Sequence, residues 1–307
     1  MSDGAVGVGL SGHAASIATT VAFVGLGNMG APMARRLIDA GHRVIGFDRS
    51  EDAVDRFAAR GGTAAVSAAA AAADADVTIL MLPNSAVVEA VLDDGLAAAL
   101  RPGTAVVDMS SSEPMRTRAL AQRMAAERHV DLIDAPVSGG VKGAVNGTLT
   151  IMVGGPHAAV STVLPILEHL GRPTRVGACG AGHALKALNN LLSATHLLVT
   201  SEAILAGQRF GLDPEVMLTV INGSSGRSGS SENKWPNFIV PQTYDSGFAL
   251  SLMLKDMRIA TDLARQLGRP SLLGESAVAL WSQAAEALEP AADHTEIARW
   301  VADWIDR

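Results

Sequence analysis

Short apolar runs alternate with helical stretches from Thr20 to about Gly177, and this alternation constrains the fold more than any other feature of the sequence. The runs are apolar on both faces, which is typical of parallel strands that are covered by helices on both sides. Predicted strands span residues 20–25, 43–47, 76–82, 104–109, 130–134 and 148–155, and predicted helices span 28–41, 51–60, 68–73, 84–100, 113–128 and 156–169. The pattern therefore predicts an α/β domain with a parallel-rich sheet.

The alternation stops after Gly182, and residues 183–210 form one uninterrupted helical pattern. A helix of this length would extend about 40 Å. It is apolar on nearly every face, so we expect it to be the central helix of an all-α second domain. Further helices are predicted at 213–222, 232–240, 249–268, 272–286 and 293–306. The predicted organisation is a disordered tail at 1–18, an α/β domain at 19–180 and a helical domain at 181–307.

Composition and charge argue against several classes of protein. The chain has 31 acidic and 24 basic residues and a net charge of −7, which argues against a nucleic-acid partner. No apolar run reaches the roughly 18 residues that a membrane span needs. Cys179 is the only cysteine, so we expect no intrachain disulfide and a reducing compartment such as the cytoplasm. Residues 1–18 lack the basic start and the compact apolar stretch of a signal peptide.

Gly25, Gly27 and Gly30 form a G-x-G-x-x-G motif that follows a predicted strand and opens a predicted helix. Gly25 permits a tight turn, Gly27 lets a pyrophosphate approach the backbone, and Gly30 lets the helix pack closely on the strand. Free N–H groups at the start of the helix supply an anion site. The motif predicts a Rossmann-type domain that binds NAD or NADP. The alternative is a glycine-rich turn without a ligand.

The second predicted strand ends at Asp48, where a carboxylate usually accepts hydrogen bonds from the adenosine ribose. Asp48 favours NAD, because it would repel the 2′-phosphate of NADP. Arg49 and Ser50 leave NADP open, because an arginine can pair with that phosphate. The expected cofactor contacts lie in the glycine loop, after the second strand and at the ends of the next two strands: Gly25, Leu26, Gly27, Asn28, Met29, Gly30, Asp48, Arg49, Ser50, Leu82, Pro83 and Ser111.

Four motifs resemble, in order along the chain, those of the β-hydroxyacid dehydrogenase family, which includes 3-hydroxyisobutyrate dehydrogenase and tartronate semialdehyde reductase. They are GLGNMGAPMA (25–34), DAPVSGGVKGAVNGTLTIMVGG (134–155), GAGHALKALNN (180–190) and GFALSLMLKDMRIA (247–260). The resemblance covers nearly everything from Thr20 to the C-terminus. It implies hydride transfer between NAD(P) and a small β-hydroxy acid or its semialdehyde.

Lys186 and Asn190 lie four residues apart, so they share one face of the long predicted helix. A lysine in an apolar cleft has a lowered pKa, which suits proton exchange near neutral pH. Spacing alone favours a structural lysine and an asparagine at a helix contact. The resemblance implies instead that Lys186 is the general acid/base and that Asn190 binds the substrate.

A hydroxyl and unobstructed N–H groups follow a predicted strand at Ser138, Gly139 and Gly140, and such a set could hold a carboxylate. The alternative is a glycine-rich turn. The resemblance implies that these three residues bind the substrate carboxylate and that Phe248 and Asp256 border the active site.

Lys255 is expected, from the same resemblance, to reach back to the cofactor. The alternative is an exposed ion pair between Lys255 and Asp256. One family position departs from the pattern: Val87 stands where an asparagine often contacts the cofactor, and Asn84 lies earlier.

Residues 224–238 are a polar stretch within the predicted helical domain, and two interpretations of it stay open. Arg227, Asn233, Lys234 and Trp235 could contact a distal group of the substrate, or the stretch could be a solvated loop.

Two rival functions share these predicted elements. An imine reductase on the same scaffold typically lacks a lysine at position 186, and a non-catalytic dinucleotide-binding protein would be expected to lose either Lys186 or the Ser138 segment. The histidines lack metal-ligand spacing, so no metal is expected. The apolar helix at 183–210 suggests a homodimer or homotetramer, and the expected small-molecule partner is a carboxylate.

Overall fold

The computed structural model describes residues 18–305, so the predicted tail at 1–18 lies almost entirely outside the described residues. A βαβ unit opens the fold, made of β1 (Thr20–Val24), α1 (Gly30–Asp39) and β2 (Arg43–Phe47). β1 and β2 pair in parallel. The glycine loop therefore connects a buried strand to a helix, as the motif predicts.

Residues 18–305 form a nine-stranded sheet in the order β3-β2-β1-β4-β5-β6-β8-β7, with β9 paired to β8. Its first six strands are mutually parallel, and β8 runs antiparallel to β6 and β7. The remaining strands are β3 (Thr63–Ala64), β4 (Val77–Leu80), β5 (Ala105–Asp108), β6 (Asp131–Asp134), β7 (Val137–Ser138), β8 (Leu149–Gly154) and β9 (Gly171–Gly177). The strand order reverses between β1 and β4, and open sheets of this kind bind ligands in the crevice outside the strand ends at that point.

Both faces of the sheet are buried, which explains the continuous apolar runs. On β1, Val21 and Phe23 pack into one core with α1, while Ala22 and Val24 pack into a second core on the opposite face. The covering helices are α2 (Glu51–Ala58), α3 (Ala68–Ala72), α4 (Ser85–Val91), α5 (Ala97–Ala99), α6 (Pro114–Arg128), α7 (Gly140–Asn146) and α8 (His157–Glu168).

One helix prediction in this half is wrong, and several short elements, among them β9, were not predicted. The helix predicted at 84–100 is interrupted, because Gly95 adopts a φ of 93° within the π-helical turn Leu92–Leu96. β9 was not expected, since its sequence GRPTRVG is polar and contains Pro173. An edge strand tolerates a proline, because one side of its backbone makes no ladder hydrogen bonds.

The second half is helical around α9 (Ala181–Phe210), whose 30 residues extend about 45 Å. The other elements are α10 (Pro214–Asn222), the π-helical segment Ser230–Ile239, α11 (Leu250–Gln266), α12 (Leu272–Ala287), a 3₁₀ turn (His294–Glu296) and α13 (Ile297–Ile305). α9 packs against α10, α11, α12, α13 and the Ser230–Ile239 segment. The predicted fold class, a parallel-rich Rossmann-type sheet followed by helices around one long helix, is confirmed. None of the helices within residues 18–305 combines the length and the apolar character that crossing a membrane requires.

Candidate active site

The glycine loop has the backbone geometry that a dinucleotide needs. Gly25 has a φ of 99°, and a Cβ there would overlap the carbonyl of Met81. A Cβ at Gly30 would overlap the carbonyl of Gly25, so α1 begins in direct contact with the turn. At Gly27 a Cβ would meet no atom of the described chain within 4 Å, so this part of the loop is open to an approaching ligand.

Asp48 supports the glycine loop from the end of β2. Its Oδ2 accepts a hydrogen bond from the N–H of Leu26 at 2.7 Å, and its Oδ1 accepts one from the N–H of Ser50 at 2.8 Å. Each carboxylate oxygen has a second lone pair, so ribose hydroxyls could still donate to it. Ser50 also caps α2 by accepting from the N–H of Ala53, and Arg49 is exposed.

The other loop residues differ in what they present. The Leu26 side chain is buried, Met29 packs against the core of the sheet, and Asn28 is exposed. Asn84 caps α4, because its Oδ1 accepts from the N–H of Val87 at 3.0 Å. A role for Asn84 in capping accounts for this side chain without the cofactor.

Lys255 links the helical half to the ends of β4 and β5. Its Nζ donates to the carbonyl of Ser111 at 2.8 Å and to that of Pro83 at 3.3 Å. The neighbouring residue Leu82 donates its N–H to Ser110 Oγ at 2.9 Å. The predicted cofactor edge and the helix that carries Lys255 therefore meet at the strand ends.

The start of α9 is fixed to the sheet by Asp134. Its Oδ1 accepts from the N–H of Gly180 at 2.7 Å, and its Oδ2 accepts from the N–H of His183 at 2.8 Å. A carboxylate at a helix N-terminus is also favoured by the helix dipole. The buried His183 ring contacts Thr117 Oγ1 at 2.9 Å and the carbonyl of Ser110 at 3.1 Å. The sequence interpretation missed this anchor, although Asp134 opens the DAPVSGG motif at a strand end.

Lys186 lies one turn beyond that anchor and points toward the Ser138 segment. Its Nζ donates to Ser138 Oγ at 3.1 Å. Burial lowers the pKa of Lys186 below its usual value; the charge of Asp256 opposes this shift and that of Lys255 adds to it. A lysine in these surroundings gives up its proton more readily than one in water, as a general acid/base must.

Asp256 connects the helical half with the sheet through two short hydrogen bonds. Its Oδ2 accepts from Asn190 Nδ2 and its Oδ1 from Ser111 Oγ, each at 2.6 Å. Lys255 Nζ lies 3.3 Å from Oδ1. Because Asp256 is only 1% exposed, the alternative of an exposed Lys255–Asp256 ion pair is wrong. Asn190 is buried and fixed by this carboxylate.

The Ser138 segment turns sharply between β7 and α7. Gly139 and Gly140 have φ values of 129° and 61°, which a side chain would strain. The first N–H groups of α7 lack intrahelical acceptors, as in every helix. Phe248 lies before α11, where its ring packs edge-to-face on His294 with 5.7 Å between centroids.

The four candidates in the 224–238 stretch are placed differently. Arg227 is exposed and pairs with Glu232 at 2.7 Å, so it fits the solvated-loop interpretation. Asn233 is also exposed and accepts a hydrogen bond from Asn237. Trp235 is buried in the helical core. Lys234 is partly buried and contacts α9, where its Nζ donates to Ser193.

Two family models match the chain. The NAD-binding domain of 6-phosphogluconate dehydrogenase matches residues 20–182, and the NAD-binding domain of NADP-dependent 3-hydroxyisobutyrate dehydrogenase matches residues 180–301. The 2-(hydroxymethyl)glutarate dehydrogenase of Eubacterium barkeri is 41% identical over 249 residues, 80% of this chain and 82% of the relative. The chain belongs to the β-hydroxyacid dehydrogenase family. Its class of activity is NAD(P)-dependent oxidoreduction of hydroxy acids.

Other β-hydroxyacid dehydrogenases are similarly close. The NAD-dependent L-serine dehydrogenase of Pseudomonas aeruginosa is 40% identical over 85% of this chain and 90% of its own length. The structure of Mycobacterium tuberculosis 3-hydroxyisobutyrate dehydrogenase with L-serine superimposes with a TM-score of 0.88 at 34% identity, covering 93% of this chain and 99% of that one. An imine reductase from Streptomyces aurantiacus shares the fold, with a TM-score of 0.62 and 21% identity.

Proposed function

We propose that the chain oxidises a small β-hydroxy acid to its semialdehyde, or reduces the semialdehyde, with Lys186 as the general acid/base. The observation that carries this proposal is the 3.1 Å hydrogen bond between Lys186 Nζ and Ser138 Oγ. It brings an amine with a lowered pKa to the segment proposed to hold the substrate carboxylate.

In the proposed reaction, different residues of the chain transfer the proton, bind the carboxylate and orient the substrate. The bound nicotinamide would accept or supply the hydride. Lys186 takes the hydroxyl proton during oxidation and returns it during reduction. Ser138, Gly139 and Gly140 hold the carboxylate, and Phe248 borders the site. Asn190 orients the substrate, and its amide is itself held by the buried Asp256.

The two halves would act as separate functional units, with boundaries near residues 19–180 and 181–307. We infer that the first half binds the dinucleotide through the glycine loop and the edge formed by Leu82, Pro83 and Ser111. Lys255 holds that edge in place. NAD is the proposed cofactor, because Asp48 already lies against the loop, 2.7 Å from the N–H of Leu26. A higher kcat/KM with NAD than with NADP is the expected result.

Substitution of Lys186 tests the proposal, with 3-hydroxyisobutyrate, L-serine and 2-(hydroxymethyl)glutarate as the substrate panel. In Lys186→Met we expect kcat to fall about 10³-fold, because no proton acceptor remains. Lys186→Arg keeps the positive charge but cannot lose its proton, so it should be as inactive. NADH affinity, measured by fluorescence titration, should change less than about threefold in both variants.

The pair of variants separates two roles of the lysine. If Lys186→Arg retained near-normal kcat, the lysine would only anchor an anion and the acid/base assignment would be wrong. If both variants retained it, the proposed mechanism would fail altogether. Thermal unfolding of both variants controls for loss of fold.

The surface of α9 supports self-association of the chain. Leu185, Leu188, Leu192 and Val199 lie along one side of this helix and are 41–59% exposed. We propose that this stripe meets a second copy in a homodimer or homotetramer. Leu192→Asp should lower the sedimentation coefficient toward that of a monomer. The cytoplasmic location expected from the single cysteine stays a prediction.

A further inference from the structure

Lysine is rare in this chain and is concentrated near the candidate active site. Only four of its 24 basic residues are lysines: Lys142, Lys186, Lys234 and Lys255. Lys142 is exposed, whereas the other three donate to polar atoms of another element. Lys186 and Lys255 have roles in the proposed mechanism. Lys234 has none so far.

Lys234 extends from the Ser230–Ile239 segment to α9, where its Nζ donates to Ser193 Oγ at 2.8 Å. An ammonium has three N–H donors. Within residues 18–305 this hydroxyl is the one protein acceptor in hydrogen-bond range, and no carboxylate lies within 4.0 Å of the amine. The nearby Asp293 carboxylate accepts instead from Ser246 and from the N–H groups that precede α11.

Partial burial makes this position unfavourable for a charge. It lowers the pKa of Lys234 to about 8, an effect that the negative charge of Asp293 only partly offsets. An apolar side chain of similar length would fill the space without that penalty. The presence of an amine at position 234 is therefore not explained by a contribution to the stability of the fold.

Ser193 lies on the same face of α9 as the acid/base. It is seven residues beyond Lys186, two helical turns or about 10 Å along the axis. α11 runs antiparallel to α9 here, since Ala260 packs with Ala187 and Asp256 binds Asn190. The start of α11 thus lies alongside the next turns of α9.

Phe248 and Lys234 both lie near Asp293. Asp293, whose charge acts on Lys234, accepts a hydrogen bond from the N–H of Phe248 at 3.2 Å. The Phe248 ring, which borders the proposed site, also packs on His294, whose own pKa is lowered by burial and by the charge of Lys234. Lys186 therefore marks one end of a stretch of α9, and Ser193, which Lys234 contacts, marks the other. Asn190 lies between them.

We propose that Lys234 is a specificity-determining residue that binds a second carboxylate at the far end of the substrate, so that the preferred substrates are β-hydroxy dicarboxylic acids. The inference rests on the proposed function, because it takes the hydroxyl to be at Lys186. An extended four-carbon chain covers roughly 5 Å, and a hydrogen bond at either end adds about 2.9 Å. The total of about 11 Å is close to the rise of about 10 Å along the α9 axis between residues 186 and 193.

Two substrates that differ by a distal carboxylate test the inference: 2-(hydroxymethyl)glutarate and 3-hydroxyisobutyrate. We expect Lys234→Met to lower kcat/KM for the dicarboxylate about 30-fold, mainly through KM, because a charge-assisted hydrogen bond is lost. The same variant should change kcat/KM for the monocarboxylate less than about threefold. Lys234→Gln, which keeps a donor without the charge, should lie between the wild type and Lys234→Met.

Arg227→Met is the matched control, since it removes an equal charge from an exposed, ion-paired side chain seven residues earlier. It should leave both substrates unaffected. Equal losses for both acids in Lys234→Met would mean a merely structural lysine, and no loss for either would remove it from the site; each result overturns the inference.

Calorimetric titration of NADH-loaded protein with glutarate and with butyrate separates this inference from the proposed function. Glutarate binding that weakens about tenfold or more in Lys234→Met, with butyrate binding unchanged, supports the role of Lys234 even if the wild type oxidises neither hydroxy acid. Such inactivity would refute the proposed function alone. Equal glutarate binding by wild type and variant overturns the inference alone.

Discussion

We propose that the glycine loop and the inner face of α9 recognise ligands by different means. In the loop, the fit depends on backbone: Gly25 and Gly30 leave no room for a Cβ, and Gly27 is open. On α9, the fit depends on side chains, because Lys186, Asn190 and Ser193 each hold or receive a polar group from another element.

This difference determines which substitutions each region can accept. A backbone site tolerates almost no added atom, but it needs few particular side chains around it. A side-chain site can exchange one group for another, and each exchange alters charge, pKa or reach. Recognition of a shared cofactor suits the first arrangement, and recognition of a variable substrate suits the second.

The largest expected effect is that of Gly30→Ala. The new Cβ would overlap the carbonyl of Gly25, so we expect the free energy of unfolding to fall by about 3 kcal/mol and NADH binding to be lost. Gly27→Ala is the matched control, because its Cβ meets no described atom. It should keep wild-type stability in urea and weaken NADH binding only. Equal stability of the two variants would contradict the view that the backbone leaves no room for a Cβ at Gly30 but leaves room at Gly27.

A smaller effect is expected from Asp256→Asn. An amide has one acceptor oxygen where the carboxylate has two, so it cannot accept from both Asn190 and Ser111 as Asp256 does. We therefore expect kcat to fall about 30-fold. The charge of Asp256 raises the pKa of Lys186, and its removal lowers that pKa further. The acidic limb of the pH profile of kcat/KM for oxidation, where Lys186 must be deprotonated, should therefore move to lower pH.

Asp262→Asn changes an exposed carboxylate of the same helix that pairs with Arg265, and it should leave both kcat and the pH profile unchanged. An acidic limb that stays in place in Asp256→Asn would show that this carboxylate acts on Lys186 only through packing.

Sequence reasoning succeeded where a motif fixes local geometry and failed where the contact is distant. The loop at Gly25, the paired β1 and β2 and the length of α9 follow from spacing and periodicity. The bond between Lys234 and Ser193 joins residues 41 positions apart, and that between Ser111 and Asp256 joins residues 145 apart. No local pattern encodes such pairs, although the scarcity of lysine was visible in the sequence.

Lys234→Met should make the protein more stable by about 1 kcal/mol at pH 7, because a partly buried charge with one protein acceptor is removed. The folded-state pKa of about 8 lies below the usual 10.5, so the unfolded state binds more protons between these values. Wild-type stability should therefore rise from pH 8 to about 10.5, and its deficit against the variant should shrink.

The exposed Lys142 supplies the control for this stability difference, since Lys142→Met should give a small difference that does not depend on pH. Urea denaturation at several pH values measures both. A Lys234→Met protein that is less stable than the wild type at every pH would show that the lysine supports the fold.

Asn84→Ala is expected to have the smallest effect. Loss of the α4 cap should lower the free energy of unfolding by about 1 kcal/mol, with NADH affinity within about twofold of the wild type. Ser67→Ala removes the equivalent cap of α3 and should cost about as much. A tenfold loss of NADH affinity in Asn84→Ala alone would place this side chain among the cofactor contacts.

Asp134 attaches α9 to the sheet at the first turn of the helix. A tilt of the helix about this point would therefore displace its later turns more than its first ones. From His183, the last residue that this carboxylate holds, Lys186 is about 4.5 Å away along the axis and Ser193 about 15 Å. A small tilt about that pivot would move the Ser193 end roughly three times as far as the amine of the acid/base. Repacking at the far end of the helix would thus shift Ser193 and its contact with Lys234 more than it shifts Lys186.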